Sequence, residues 1–277
     1  MIWIGDVHGC SKTLLALLKK LPKNREVGFL GDLVDRGSNS VEAVKIALDH
    51  SDDILCGNHD MLMVKCLLTD KHNGYFWELW RRNDNGWVYR NFNFGKPGPK
   101  EEEALALISK LYEQMIMFKV TDHAIATHAF ADKTVWCKGY QRPPSAEEVL
   151  MMKLSGIEVE KQDNDQLKLP TADEAIQHIL SPDVKSSVFD ARFPEDSACE
   201  LLWGRKISES KELSRMTGKK LVHGHSIPRD NEVYISDHLV LVDIGCFMGI
   251  MGGDHFLSAY DDETEEVWRQ LNIDERV

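Results

Sequence analysis

Three short polar stretches near the start of the chain carry residue types that bind metal ions. They read Gly-Asp-Val-His-Gly at 5–9, Gly-Asp-Leu-Val-Asp-Arg-Gly at 31–37 and Gly-Asn-His-Asp at 57–60. Each stretch follows a short apolar run and begins at a glycine, which is the pattern of a strand that ends in a polar turn. Aspartate, histidine and asparagine side chains suit hard to borderline divalent cations better than soft ones. Together the three turns predict a metalloenzyme.

The elements that position these turns form a predicted βαβαβ unit over residues 1–60. Its strands are predicted at 2–4, 27–30 and 54–56. Its two amphipathic helices are predicted at 11–21, with Ser11 as N-cap and Pro22 after the end, and at 40–49. Because ligands bind outside the carboxyl ends of such strands, we expect the three turns to converge on one site.

The rest of the chain is less regular. A helix is predicted over 101–114, followed by a hairpin of 115–120 with 124–127. Short strands at 220–222, 233–235, 239–242, 256–260 and 266–270 are interpreted as an antiparallel meander that closes a second sheet. Within one domain spanning 1–277, we expect insertions at 61–120 and 131–200. The second of these predicts a peripheral helical cap, with helices opening at Ser145 and Thr171.

Composition narrows the class of function. The 277 residues carry a formal net charge of −12, which disfavours general binding to nucleic acid but allows a phosphate substrate where bound cations reverse the local field. The six cysteines contain no Cys-x-x-Cys pair, so we expect a reducing compartment and no thiolate zinc site. The first predicted strand leaves no room for a signal peptide, and no apolar run reaches membrane-spanning length, so we expect a cytoplasmic protein.

The order of these motifs resembles a known family. The three turns, a later Thr-His-Ala at 127–129 and Gly-His-Ser at 224–226 are similar to the calcineurin-like metallophosphoesterase superfamily. Within it, the chain most resembles the phosphoprotein-phosphatase branch, particularly its bacterial and phage members. The resemblance implies an α/β fold, a four-layer α/β/β/α sandwich of two mixed sheets with a dimetal site at one edge.

The resemblance also implies a set of metal ligands. Asp6 and His8 would hold the first ion, and Asp32 would bridge both ions. The second ion would be held by Asn58, His128 and His225. Two divalent cations, a pair of Mn²⁺ or of Fe/Zn type, fit such oxygen and nitrogen ligands. His223 falls outside the family's Gly-His-Ser pattern and is interpreted as a strand residue with a structural or supporting role.

Four further residues match the family's catalytic positions. Arg36 and Arg205 would bind phosphoryl oxygens, because a guanidinium stays charged and grips them in a fork. His59 would be the general acid that protonates the leaving group, with Asp35 holding its ring. The Asp243-Ile244-Gly245 stretch is expected to support the metal loop, and the tryptophans at 77, 80 and 87 are expected to pack in the core or cap.

The function implied is hydrolysis of phosphate monoesters by in-line attack of a hydroxide between two metal ions. A serine/threonine protein phosphatase is the leading hypothesis, because Asp35 is typical of that branch. A symmetrical diadenosine tetraphosphate hydrolase is the alternative, favoured by Asp60 and by Cys246 in its Asp-x-Gly-Cys context. A non-catalytic scaffold is disfavoured, since every expected ligand is present. The substrate would be a phosphorylated protein or a small phosphoester, and oligomeric state stays open.

Overall fold

Two mixed sheets with flanking helices make up the part of the chain that the structure describes. The structure is a computed structural model, and it describes residues 1–69, 74–92, 98–130, 202–205 and 210–275. In chain order the strands are β1 (Ile2–Ile4), β2 (Val27–Phe29), β3 (Asp53–Leu55), β4 (Met115–Ile116), β5 (Phe118–Val120), β6 (Ala124–Thr127), β7 (Lys220–His223), β8 (Tyr234–Ile235), β9 (Leu239–Leu241), β10 (Phe256–Asp261) and β11 (Val267–Leu271).

Helices lie between these strands and after them. They are α1 (Ser11–Leu18), α2 (Ser40–His50), α3 (Asn58–Val64), α4 (Gly74–Arg82), α5 (Gly86–Phe92), α6 (Pro99–Gln114) and α7 (Ser210–Thr217). A π-helical turn, Lys65–Thr69, prolongs α3, and a 3₁₀ turn, Cys246–Met251, follows β9.

The two sheets have different strand orders. The first runs β11-β10-β1-β2-β3-β4, and the second runs β5-β6-β7-β9-β8. Strands β1, β2, β3 and β4 are mutually parallel, as are β6, β7 and β9. The βαβαβ unit predicted for residues 1–60 is therefore confirmed, and parallel carboxyl ends from both sheets face one edge.

Alternating side chains along the strands build two apolar layers. Trp3, Leu30 and Val222 belong to a cluster shared by the facing sides of the two sheets. Their neighbours, such as Ile4 and Leu221, belong to a larger cluster that includes residues of the helices. The α/β metallophosphoesterase fold follows from this layering, with α1 against the first sheet and α7 against β7 and β9 of the second.

The predicted strand pairing was wrong for two segments. The predicted hairpin strand 115–120 is divided: Met115–Ile116 pairs parallel with β3 in the first sheet, whereas Phe118–Val120 pairs antiparallel with β6 in the second. The chain changes sheet at the buried Met117. The predicted single meander is also divided, because β10 and β11 extend the first sheet beside β1, and β7 lies parallel to β9.

The first helix also differs from its prediction. It ends at Leu18 rather than residue 21, and the N–H of Lys20 bonds the carbonyl of Leu17 in a tighter final turn. Pro22 contributes to the early end, because a proline has no N–H to bond the carbonyl four residues before it, here that of Leu18. The N-cap is Cys10, not Ser11, and it makes no capping bond with its side chain.

The region 61–120 is mainly helical where it is described, from α3 to α6, and ends in β4 and β5. The predicted cap at 131–200, with its helices at Ser145 and Thr171, lies outside the described residues. Within the described ranges, no helix is both long and apolar enough to cross a membrane.

Candidate active site

Strand ends from both sheets deliver polar side chains to one place. Asp6, Asp32 and Asn58 lie just beyond β1, β2 and β3 of the first sheet. The second sheet contributes His128, His225 and Asp243 beyond β6, β7 and β9. All six side chains are buried, with no more than 8% of each residue exposed. The fold therefore concentrates three carboxylates, two imidazoles and an amide at the sheet edge.

Asp32 lies at the centre of this group. Its Oδ2 is 3.5 Å from Nε2 of His8, and its Oδ1 is 3.6 Å from Nε2 of His128. Two sets of possible ligand atoms, each within 4.8 Å of one another, share Asp32: one adds His8 and His59, and the other adds His128 and His225. A carboxylate shared by two sets is in the position that a bridging ligand requires.

The predicted ligand Asp6 belongs to neither set. Both of its carboxylate oxygens accept the backbone N–H of His225, at 3.1 and 3.2 Å. A Cβ added to Gly224 would overlap Oδ1 of Asp6, so the chain can approach this carboxylate only with glycine there. Asp6 nevertheless lines the same cavity as Asp32 and His8.

The histidine rings are oriented for ligation through Nε2. Nδ1–H of His8 donates to the carbonyl of Val34 at 3.0 Å, and Nδ1–H of His128 donates to the carbonyl of Leu30 at 2.7 Å. Each bond fixes the tautomer, so the Nε2 lone pair points into the site, as in ligating histidines generally. Nε2 of His128 lies 3.0 Å from Oδ1 of Asn58. Nε2 of His225 is buried and makes no hydrogen bond to any described residue.

The carboxylates crowd one another. Burial raises the pKa of Asp6 well above its ordinary value, and the nearby Asp243 and Asp32 raise it further. Burial also raises the pKa of Asp243 to about 6. Burial opposes ionisation of Asp32 too, but His128, His59 and His8 hold the pKa of Asp32 below its ordinary value. Divalent cations would relieve this repulsion, and Nε2 of His225 could coordinate one of them. These residues therefore fit a metal pair.

Backbone strain is concentrated at the same residues. His8, Asp32, Asp35, Arg36 and His225 all have positive φ angles, between 45° and 71°. Such conformations cost of order 1–3 kcal/mol for each non-glycine residue and cluster at functional sites. Gly57 supplies the space that this arrangement needs, since a Cβ there would overlap the Asp32 carboxylate.

Arg36 lies between two of the histidines. Its guanidinium nitrogens lie 3.0 Å from Nε2 of His8 and 2.9 Å from Nε2 of His59. The ring of Phe247 lies beneath it, 4.3 Å from Cζ to the ring centroid, and contacts the ring of His8 edge to face. Arg205 is exposed and lines the same cavity as Arg36. Two guanidiniums therefore face the space beside Asp32.

His59 and Asp35 form a buried pair. Nδ1 of His59 is 2.7 Å from Oδ2 of Asp35. Burial opposes protonation of His59, but Asp32 and Asp35 raise the pKa of His59 above its ordinary value. Burial raises the pKa of Asp35, whereas its bonds to His59, Trp87 and Trp80 lower it.

Two tryptophans hold the Asp35 carboxylate from the other side. Nε1–H of Trp80 donates to Oδ2 at 2.9 Å, and Nε1–H of Trp87 donates to Oδ1 at 2.7 Å. Both side chains are buried, at 0% and 3% exposed, as the core-packing interpretation expected. Their polar role was missed, because the two tryptophans lie 45 and 52 residues beyond Asp35 on helices that carry no motif.

His223 takes a supporting position next to the site. Its ring lies 2.6 Å from the hydroxyl of Thr127, which itself donates to the carbonyl of Ala129. Burial lowers the pKa of His223 to about 4, so the ring is neutral at physiological pH. His223 is absent from both sets of possible metal ligands, whereas His225 belongs to one.

Two cavities meet at Arg36 and Asn83. The smaller, of about 210 Å³, contains the site; its lining is Asp6, His8, Asp32, Arg36, Asn58, His59, Asn83, Trp203, Arg205, His225, Ile227 and Asp243. His128 and Asp35 lie just behind that lining. The larger cavity, of about 490 Å³, extends outward along the C-terminal end of α4 and the 3₁₀ turn. The site thus opens into a space larger than a single phosphate needs.

Comparisons with known proteins agree with this geometry. The family of calcineurin-like phosphoesterases matches residues 1–247. The chain is 43% identical over 63 residues to a symmetrical bis(5'-nucleosyl)-tetraphosphatase of Photobacterium profundum, covering 21% of this chain and 23% of the relative. It is 36% identical over 91 residues to a protein of the same name from Buchnera aphidicola subsp. Schizaphis graminum, covering 30% of this chain and 33% of the relative.

These alignments span a third or less of the length of the curated relatives. Among solved structures, a metallophosphoesterase from Sphaerobacter thermophilus is 14% identical with a TM-score of 0.45, covering 100% of this chain and 90% of that chain.

Proposed function

The chain belongs to the calcineurin-like phosphoesterase family, a family of metal-dependent phosphoester hydrolases, and from this premise we propose that it hydrolyses a symmetrical dinucleoside tetraphosphate. Cleavage at the centre of the phosphate chain would yield two nucleoside diphosphates. The names of the curated relatives support this substrate over the phosphoprotein that the sequence motifs put first.

One observation carries the phosphoester chemistry: Asp32 is shared by two sets of ligand atoms, and Arg36 contacts both histidines of one set. We assign the two ions to Asp6, His8 and Asp32 and to Asp32, Asn58, His128 and His225, with Mn²⁺ as the proposed metal. A bound pair would supply an activated water at neutral pH and charge stabilisation for the phosphoryl group.

The arginines would bind and orient the phosphoryl group. Phe247 supports the Arg36 guanidinium from one side, so this cation is held in place before substrate arrives. Arg205, which lines the same cavity, would contribute a second guanidinium to the phosphoryl group. Donors that are fixed where negative charge develops stabilise the transition state without a reorganisation cost.

A serine/threonine protein phosphatase remains the second candidate, and the His59–Asp35 pair favours it. A serine alkoxide is a poor leaving group and needs a proton as the ester bond breaks, whereas a nucleoside diphosphate leaves readily as an anion. The imidazole of His59, with its ring fixed by Asp35 at 2.7 Å, is placed to donate that proton. For the dinucleotide, the same proton transfer would contribute less to the rate.

The two candidates are separated by initial rates with Mn²⁺ on diadenosine tetraphosphate and on a phosphoserine peptide, measured side by side. The proposal expects a higher kcat/KM for the dinucleotide, with ADP as its sole nucleotide product. Formation of ATP and AMP would contradict symmetrical cleavage. A higher kcat/KM for the peptide would make the protein phosphatase the better assignment.

We also propose a cytoplasmic location, in keeping with Cys10, Cys56 and Cys246, which form no disulfide with any residue that the structure describes.

A further inference from the structure

The larger cavity beside the site is lined by residues that have no role in binding the metal ions. It is bounded by Arg82, Asn83 and Asp84 at the end of α4, by Arg90 of α5, and by Phe247, Ile250 and Met251 of the 3₁₀ turn. Arg36 and Asn83 line both this cavity and the metal-ligand cavity. A molecule held at Arg36 by a phosphate could therefore extend into the larger space without leaving the protein surface.

The charge of this cavity is opposite to that of the protein. Three arginines and one aspartate line it, in a chain whose formal net charge is −12. Within the described ranges, neither Arg82 nor Arg90 is ion-paired with a carboxylate. Guanidiniums that are not neutralised internally, at the mouth of a site that already binds a phosphoryl group, favour a ligand with further phosphates.

The rest of the lining includes three apolar side chains of the 3₁₀ turn. Phe247 has one face on Arg36, Ile250 follows three residues later on the same turn, and Met251 is 72% exposed. A volume of about 490 Å³ falls within the range of small-molecule sites, roughly 300–1,000 Å³. A ligand with phosphates at one side and a flat apolar group at the other would contact both the arginines and these apolar side chains.

We propose that this cavity binds the nucleoside diphosphate half of the substrate that lies beyond the cleaved bond. Arg82 and Arg90 bind its phosphates, and the turn Cys246–Met251 packs against its base. This inference rests on the proposed dinucleotide substrate and names the site of its second half. A phosphopeptide with acidic residues beside the phosphoserine is the competing occupant.

The experiment compares Arg82→Ala and Arg90→Ala with Arg81→Ala. Arg81 is the neighbour of Arg82 on the same helix, but it is ion-paired with Glu78 at 2.9 Å and does not line the cavity. We measure kcat/KM for diadenosine tetraphosphate and for p-nitrophenyl phosphate, which has no further phosphate for Arg82 or Arg90 to bind. We expect the ratio of the two to fall about tenfold or more in each cavity variant and to stay unchanged in Arg81→Ala.

A second measurement does not depend on dinucleotide turnover. ADP and inorganic phosphate are tested as competitive inhibitors of p-nitrophenyl phosphate hydrolysis, with Mn²⁺ in excess. We expect ADP to bind the parent protein more tightly than phosphate, and Arg82→Ala and Arg90→Ala to weaken ADP about tenfold while weakening phosphate less.

The outcomes separate the inference from the proposed function. If the dinucleotide is hydrolysed well and the double variant Arg82→Ala/Arg90→Ala keeps the parent ratio and ADP affinity, the cavity assignment is overturned alone. If the peptide is the better substrate and ADP still loses affinity in the variants, the proposed function fails while the nucleotide site stands. If only hydrolysis of an acidic phosphopeptide falls, the cavity binds peptide and the inference is wrong.

Discussion

His59 is the residue whose chemistry separates the two candidate substrates. Its Nδ1 is held by Asp35 at 2.7 Å, and its Nε2 faces the cavity beside Arg36. Replacement by asparagine removes the proton donor. We expect His59→Asn to lower kcat about 10²-fold or more for phenyl phosphate, whose leaving group is poor, and far less for p-nitrophenyl phosphate.

The control for this variant is metal content. His59 shares a set of possible ligand atoms with His8 and Asp32, so a ligand role must be separated from an acid role. We expect His59→Asn to retain two metal ions per chain by elemental analysis, whereas His8→Asn loses one. Equal loss of rate on both esters, or loss of metal from His59→Asn, would contradict general-acid catalysis.

The crowded carboxylates predict how metal removal changes stability. In the chelated protein the folded-state pKa of Asp243 is raised to about 6, and that of Asp6 is raised as well. A carboxyl group whose pKa is raised by folding destabilises the fold once it ionises. This cost is absent below the ordinary aspartate pKa, grows as the pH rises toward the folded value, and is complete above it. We expect chelation to lower the Tm little at pH 4 and progressively more up to about pH 7.

The variant Asp243→Asn tests whether carboxylate repulsion causes the loss of stability on chelation. It removes one charge, while its Oδ1 can still accept the N–H of Gly245 at 2.9 Å. We expect it to restore on the order of 2–3 kcal/mol to the chelated protein at pH 8, the value of a shift of about two pKa units. The exposed Asp230→Asn serves as control and should change nothing. Chelation that lowers the Tm equally at pH 4 and pH 8 would show that carboxylate repulsion is not the cause.

At the scale of elements, the loop after β2 depends on the start of α2. Oδ1 of Asn39 accepts the N–H of Glu42 at 3.1 Å and so caps this helix, immediately after Arg36 and Gly37. We expect Asn39→Ala to destabilise the protein by about 0.5–2 kcal/mol. Asn39→Asp keeps the acceptor and should leave the free energy of unfolding nearly unchanged. Urea unfolding of the three proteins measures the difference, and equal stability of all three would contradict the cap.

The local sequence pattern predicts where strands lie but not which sheet they join. Strand positions at the site were predicted within one or two residues, because each metal-ligand turn follows an apolar run that ends at glycine. Sheet membership was not predicted. Met115–Ile116 and Phe118–Val120 are separated by one residue and belong to different sheets. Alternating apolar residues report a buried strand but carry no information about its partner, which is chosen by packing across the whole fold.

The sequence also did not predict the contacts that hold the Asp35–His59 pair, because these contacts too depend on packing across the whole fold. Asp35 and His59 were matched by motif, and the structure places them 2.7 Å apart. The indole donors on Asp35 come from helices that no motif covers. A tryptophan at an apolar position of a helix looks like ordinary core, and only the folded structure shows that its N–H faces a buried carboxylate.

At the scale of the whole molecule, the last described residues complete the first helix. Asp274 accepts the backbone N–H groups of Lys12 and Thr13, at 3.2 and 3.0 Å, and the hydroxyl of Ser38 at 2.9 Å. This explains why α1 begins without a capping side chain of its own. It also links the helix start to the loop that carries Arg36. The segment lies beyond residues 1–247, which the family pattern covers.

We expect Asp274→Ala to destabilise the protein by roughly 1.5–3 kcal/mol, because bonds to a charged acceptor are lost and two helix N–H groups are left without a partner. The neighbouring Glu275→Ala is the matched control, since Glu275 makes only an exposed contact with Lys12 at 3.8 Å and should cost less than about 1 kcal/mol. Urea unfolding of the metal-loaded protein measures both variants. Asp274→Asn, which keeps one acceptor, should fall between them. Equal losses for Asp274→Ala and Glu275→Ala would mean that the start of α1 is stabilised by its packing against β11 and β10 rather than by this carboxylate.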